Sequence, residues 1–290
     1  MSHDILLCGP FVLSDVNGAC NQIVSGVTAP VTTVGFAHSI ERDLRSRVDP
    51  DLAIRAAGVV VHRASMKAGH PKFPPAEQTL SERKEGPEVL DEIKVDAIMT
   101  FVLAIGHDGD GDVRQDAVDD ARSALPGILL NKRYAGATLH PKGDRNDIVS
   151  DLVTPKDQAK ALKSLREGYM LRDRRDHLED QIAQGKDPLT AVMETVGFKR
   201  EGNVSKRLHP TALTPIAVGY QAIEQPRLRS THRPARDAPL HVYAEPLTGI
   251  GQWVHVRRLA GEEDPLAGCL WTHHHDPRRG LYYASATGKI

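Results

Sequence analysis

Residues 94–105 read KVDAIMTFVLAI, and between Ile98 and Ile105 only Thr100 interrupts the apolar run. That run falls far short of the ~20 residues needed to span a bilayer. It ends in a Gly- and Asp-rich turn at 107–112, so it reads as a strand leaving the core. Working outward, residues 54–62 (IRAAGVVVH) form a second strand, and the apolar, β-branched stretch 4–13 (DILLCGPFVL) another. Residues 14–26 are rich in Asn, Gly and Ser and read as a loop. Pro30 then opens a periodic stretch, 31–48, in which Val34, His38, Arg42 and Arg45 follow helical spacing. Proline suits the first helical turn because its missing N–H has no partner there anyway. Downstream, 114–125 reads as a helix and 127–139 as a strand. The order strand, helix, strand, strand, helix, strand is the split βαβ pattern. It predicts an α+β, ferredoxin-like (RRM-type) palm at 1–143, its two helices on one sheet face and the other face open, a common platform for RNA.

The 290 residues, 40% hydrophobic and 26% charged, allow one large domain or two ordinary ones and argue against wholesale disorder. No basic segment precedes an apolar one at the N-terminus, so no secretion signal is read. Cys8, Cys20 and Cys269 are scattered and odd in number, against both a disulfide framework and a zinc ribbon. A reduced, cytoplasmic protein without membrane contact is expected. Net charge is −1, but its distribution is uneven. Residues 199–258 hold ten Lys/Arg against four Asp/Glu, a net of +6, whereas 88–123 hold three against ten, a net of −7. Such a split creates local fields that the total conceals.

Residues 63–87 hold four prolines and five Lys/Arg without a core pattern, and read as an exposed excursion. The stretch 144–207 is dense in charged residues, Leu and Ala, and reads as a helical insertion with helices at 155–184 and 188–196. From 208 to 290 the pattern is β-rich, with strands at 213–222, 240–245, 253–259 and 281–286 and a short helix at 265–275. This part is expected to pack on the palm.

Catalytic signatures are largely missing. There is no Walker A, HExxH or GxSxG sequence, and Gly249-Ile-Gly251 lacks a third glycine because Val254 stands in its place. The run His107 to Asp112 alternates acids with glycines, but an EF-hand loop counted from Asp108 would place Val113 at its glycine position and Asp119 at its glutamate. His107, Asp108, Asp110 and Asp112 leave a metal-dependent hydrolase as one alternative. Three adjacent histidines, His273, His274 and His275, cannot all reach one ion; packing against Trp271 or Tyr282 is the better reading. His38 could act as a general acid or base but shows no partner. No metal or cofactor is expected. The basic residues are the stronger signal: Arg63, Lys67, Lys72, Arg83 and Lys84 on the excursion, then Lys206, Arg207, Arg227, Arg229, Arg233 and Arg236, with Tyr220 nearby. His38, Arg42 and Arg133 complete the candidate RNA contacts. Aromatic residues are only 4% of the chain, so phosphate contacts should outweigh broad base stacking.

Several segments carry a resemblance. Residues 26–42 (GVTAPVTTVGFAHSIER) place Gly26 and Pro30 ahead of a helix with Gly35, Phe36 and His38. The stretches 58–63 (GVVVHR), 215–222 (PIAVGYQA), 249–258 (GIGQWVHVRR) and 270–282 (LWTHHHDPRRGLY) follow in order. Together they resemble the Csy-two family, the type I-F branch of the Cas-five superfamily in CRISPR surveillance (Cascade) complexes. The resemblance implies a non-catalytic subunit of an antiviral ribonucleoprotein that holds the 5′ handle of crRNA. Its partners would be the large Cas-eight type subunit and the Cas-seven type backbone subunit, with target DNA reached through the assembled complex. It further implies a thumb, here about 63–92, and a handle-binding loop with Asn17, Asn21 and Ser25. The aromatic usual between the family's Gly and Pro is replaced by Val27 and Thr28. Some relatives in the Cas-five superfamily cut the repeat themselves, so the resemblance leaves a repeat-RNA endoribonuclease using His38 or the terminal histidines as a second alternative.

Overall fold

A computed structural model describes residues 3–21, 24–68, 93–108, 115–144, 148–201, 204–209, 211–228 and 240–286. The chain runs β1 (Ile5–Asn17), α1 (Pro30–Arg47), β2 (Leu52–Ala68), β3 (Ile93–His107) and α2 (Gln115–Leu130). Short strands β4 (Arg133–Tyr134), β5 (Ala137–Thr138) and β6 (His140–Pro141) precede α3 (Gln158–Ser164), β7 (Tyr169–Asp173), α4 (Asp176–Ala183) and α5 (Pro188–Val196). The rest comprises β8 (Phe198–Glu201), β9 (Val204–Arg207), β10 (Leu213–Ala222), β11 (Arg227–Leu228), β12 (Leu240–His241), β13 (Ala244–His255), α6 (Val256–Leu259), β14 (Thr272–Asp276) and β15 (Leu281–Ser285).

This is a mixed α+β protein built on one nine-stranded sheet, in the order β14-β15-β10-β13-β7-β2-β3-β1-β6, with antiparallel pairing throughout. Strand residues alternate between two buried faces. Phe101, Leu103 and Ile105 pack under Phe36 and Ile40 of α1 and Leu125 and Ile128 of α2. Val102 and Ala104, with Ile5, Leu7 and Val60, pack against Leu162 of α3 and Val256 and Leu259 of α6. The face expected to lie open is therefore closed here. An unbroken apolar run, rather than an alternating one, is the pattern of a strand covered on both sides.

Other expectations need correction. The helix ending at Leu125 continues to Leu130 through Pro126. Proline removes one helical hydrogen bond, but Leu125, Ile128 and Leu129 all reach the core on the same stripe. The strand expected at 127–139 reduces to the β4–β5 hairpin and β6. The single helix at 155–184 is broken by β7, which lies between β13 and β2 in the sheet. The helix stops at Ser164, and Gly168, at φ +139, brings the chain close to β2: a Cβ there would lie 2.5 Å from a Val60 methyl. Residues 256–259 are helical rather than strand, and β14 replaces the helix at 265–275. β2 and β3 extend into the expected excursion, pairing Arg63 with Ile98 and Ala68 with Ile93. Residues 69–92, including Lys72, Arg83 and Lys84, lie outside the described residues.

Two contacts seat β7 and its approach. The His62 Nδ1–H donates to the Glu167 carbonyl at 2.7 Å, so the neutral ring's Nε2 accepts from Thr100 Oγ1 at 2.8 Å. On the far side, Gly219 brings β10 against β15: a Cβ would sit 2.1 Å from the Tyr282 carbonyl oxygen. Gly219→Ala should destabilise the protein by about 1–3 kcal/mol in urea titration through forced backbone displacement; a wild-type midpoint would contradict the packing. Burial holds the His62 pKa below its ordinary 6.5. The unfolded chain then binds the extra proton just below pH 6.5, so His62's contribution is complete above that pH and fades as pH falls through the depressed value. Melting temperatures from pH 8 to 5 should fall less steeply for His62→Asn than for the wild type.

Candidate nucleic-acid interface

The loop after β1 is a built element. Gly26 N–H donates to the Gly18 carbonyl at 2.9 Å, and Gly18 N–H to that of Ile93 at 2.8 Å, tying the loop to the start of β3. Asn21 Oδ1 accepts from Val24 N–H at 2.6 Å, and Asn17 Oδ1 accepts from Ala19 N–H at 3.2 Å. Both predicted asparagines thus use their side-chain oxygens to turn their own backbone, as short amide side chains do readily. Ser25 is exposed. Fully buried Tyr134 anchors the far end of the loop through hydrogen bonds with Thr28 and, at 2.9 Å, Thr33. Burial pushes its phenol up to about 12, keeping it protonated as a donor. Phe36, Phe101 and Tyr134 form a ring cluster beneath, with centroids 4.6–5.3 Å apart. Arg133 is exposed beside Tyr134, and Ala135 accepts from Asn17 N–H, so Asn17 and Arg133 share this end of the sheet.

β2 and β3 run on to the same end as a stem, with β1 paired along β3 as far as Asn17. Arg63 and Lys67 are both exposed on β2. Lys67 is engaged: its Nζ lies 2.5 Å from Asp96 and 3.7 Å from Asp15. The Lys67 ammonium holds the Asp96 carboxyl below the usual carboxylate range. Elsewhere the predicted cations are scattered. Lys206 and Arg207 are exposed on β9, and Arg207 donates to the Leu213 carbonyl at 3.2 Å. Arg227 pairs with Glu224 at 3.2 Å and lies 5.9 Å from the Tyr243 ring centroid. Arg229, Arg233 and Arg236 lie outside the described residues.

His38, Arg42 and Tyr220 belong to a different neighbourhood. His38 and Arg42, one helical turn apart, are exposed on α1. Tyr220, 44% exposed, is the cross-strand partner of Tyr282, which is itself opposite His275. His273 packs against the Tyr282 ring at 4.0 Å, as expected for the histidine run, while His274 stacks on Tyr283 at 5.2 Å on the opposite face. A cleft of about 480 Å³ opens between α1, the start of β2 and β14, with His38, His273 and Tyr282 on its wall. Trp271 closes its depth, donating Nε1–H to the Leu171 carbonyl at 3.2 Å. Arg45 and Arg55 line the other end, and both face Asp108, at 2.7 and 3.6 Å. Sequence reasoning missed Arg45, Arg55, His273 and Tyr282 as a group. The available signal was the alternation on β14, where His273 and His275 share a face with Tyr282.

Of the acidic turn, only His107 and Asp108 lie among the described residues. Asp108 is spent on the two arginines, and Asp110 and Asp112 lie outside the described residues. His107 instead approaches Asp51, 3.8 Å away, and together with Asp49 these three offer ligand atoms within 4.8 Å of one another. Among the described residues no helix is long and apolar enough to cross a membrane.

Fold and surface thus define an α+β protein with a hydrogen-bonded loop, a stem of β2 and β3 flanked by β1, and a mixed aromatic and charged cleft around one sheet. Residues 13–284 match the model of the CRISPR-associated protein family Cas_Csy2, and the chain belongs to that family. It is 23% identical to the CRISPR-associated protein Csy2 of Pseudomonas aeruginosa (strain UCBPP-PA14), over 96% of this chain and 94% of that relative. The family places the protein among the subunits of type I-F CRISPR Cascade.

The Tyr134 anchor generates a test of the loop's rigidity. Tyr134→Phe removes one buried hydroxyl and leaves Thr28 and Thr33 short of a partner. It should cost about 1–3 kcal/mol in denaturant titration and accelerate amide exchange between residues 18 and 28. Unchanged exchange there would separate the loop from its proposed anchor.

Proposed function

We infer that this protein is a non-catalytic RNA-holding subunit that grips the repeat-derived 5′ handle of crRNA within a type I-F surveillance complex. The family membership over residues 13–284 carries this reading. The order β6-β1-β3-β2, with α1 and α2 on one face, supports a ferredoxin-like palm over 1–143. The stem of β2 and β3 supports a thumb continuing over 63–92. On this reading the handle follows the rim from the loop of Asn17, Asn21 and Ser25, past Arg133 and Arg63, because the sheet face itself is covered. Backbone N–H groups and exposed cations hold phosphates, and a few splayed bases are read by hydrogen bonds. A fixed repeat permits such specific contacts, whereas the variable spacer is read by guide–target pairing. The large Cas-eight type subunit and a Cas-seven type backbone subunit would complete the assembly in the cytoplasm and bring target DNA to the guide.

Co-purification of the tagged protein from cells expressing its neighbouring genes and a CRISPR array, with sequencing of bound RNA, tests this. The expected RNAs share one constant 5′ segment, and a large protein partner accompanies them. Recovery of neither would overturn the reading. Charge reversal at Arg63 with Lys67, or at Arg227 with Arg229, should lower RNA occupancy about tenfold near physiological salt. Undiminished occupancy in both double variants would remove these surfaces from the RNA path.

A further inference from the structure

Gly35 has no structural explanation within the described chain. It lies inside α1, where glycine is a poor residue because it gives up the most backbone freedom. Yet a Cβ built there meets nothing within 4 Å, so no packing contact demands its absence. Position 35 instead borders the cleft of about 480 Å³, whose opposite wall carries the His273–Tyr282 ring pair. A missing side chain facing an aromatic wall across open space is the arrangement that lets a flat ring enter edge-on.

The polar end of the cleft narrows the ligand. Arg45 is shared between Glu41, at 3.1 Å, and Asp108, at 2.7 Å, and Arg55 also faces Asp108. A phosphate placed there would meet two carboxylates, so the end does not suit an anion. A neutral ring bearing both donors and acceptors suits it well: guanidinium groups supply donors and the carboxylates supply acceptors. Exposed His38 also lines the cleft, with exposed Arg42 one helical turn beyond it on α1 and exposed Tyr220 paired across the strands with Tyr282.

Resting on the RNA-holding reading, we propose that this cleft takes one unstacked nucleobase of the bound RNA. The base passes over Gly35, stacks on the Tyr282–His273 pair and turns its hydrogen-bonding edge toward Arg45, Arg55 and Asp108. Stacking on aromatic side chains is how proteins hold splayed bases of single strands.

The test uses the full-length chain assembled with its co-purifying partners on guide RNAs carrying a photoreactive base at one handle position at a time. One position should crosslink to the peptide containing Tyr282. Gly35→Leu projects bulk into the cleft from a position where a Cβ meets nothing within 4 Å, and leucine is the better helix former, so its melting temperature should match or exceed that of the wild type. It should abolish that crosslink and speed RNA dissociation about tenfold, the loss expected for one stacked base. Tyr282→Ala should do the same, and Tyr282→Phe should retain both properties. Wild-type crosslinks that all map elsewhere, or a Gly35→Leu complex that keeps crosslink and dissociation rate, would overturn the cleft assignment while leaving RNA holding intact. A wild-type complex devoid of RNA would overturn both readings.

Discussion

Strand β2 has one edge paired along its length by β3, and its other edge cannot be left bare in a buried sheet. Unpaired N–H and C=O groups away from water cost as much as lost hydrogen bonds. Two segments distant in sequence satisfy that edge: β7 pairs at Val60 and Val61, and Trp271 exchanges both backbone hydrogen bonds with Ala57. Through β7 the sheet continues to β13, β10, β15 and β14, so residues from every third of the chain join one structure. The Gly58 position is correspondingly tight, since a Cβ there would stand 2.8 Å from the Cys269 carbonyl. The cleft is a by-product of this closure: β14 leaves the β2 edge immediately after Trp271 and runs beneath α1.

Burial of both sheet faces then decides where recognition can happen. Among the described residues, the sheet around β1, β2 and β3 is clad by α1 and α2 on one side and by α3 and α6 on the other, so little of its face is open. What remains is the rim: the loop after β1, the stem beyond Val61, and the exposed row of His275, Tyr282 and Tyr220 past the end of the helical cover. Each is fixed by buried anchors, Tyr134 for the loop and Gly219 for the row, so positioning comes from the core even though the contact groups are exposed. Rigid placement of this kind lowers the entropy lost on binding.

Legibility in the sequence followed the range of the forces involved. α1, β3 and β10 were readable because hydrophobic periodicity and a starting proline are local signals. β7 was hidden because Tyr169–Asp173 is five residues inside a charged stretch, and its strand state is imposed by its neighbours β2 and β13. α2 was cut short at Pro126 for a sound local reason that burial of Ile128 and Leu129 outweighs. The closed second face was written in residues 98–105, where continuous rather than alternating apolar character was visible and was given too little weight. The cleft was illegible for a different reason. His38, Arg45, Arg55, Tyr282 and Gly35 come from three separate elements, and no spacing rule links them. Gly35 stood out only as part of a family resemblance; its open surroundings are a property of the fold.

Charge pairing sets the character of the surface more than charge count does. Lys67 faces Asp96 and Asp15, Arg45 faces Glu41 and Asp108, Arg55 faces Asp108, and Arg227 faces Glu224. Exposed pairs of this kind contribute little to stability, so folding alone gives weak reason to build so many. Their consequence lies in binding. A phosphate that recruits such a cation must displace or tolerate a carboxylate, which weakens the sequence-independent attraction that dominates ordinary RNA binding. A strand with the wrong shape gains little from this surface. One that places a base in the cleft and its backbone on the loop gains from both together. Near-neutral pairing, in a protein of net charge −1, thus shifts discrimination from charge to geometry. On the proposed reading, that shift suits a subunit that must hold one constant RNA segment among many cellular RNAs.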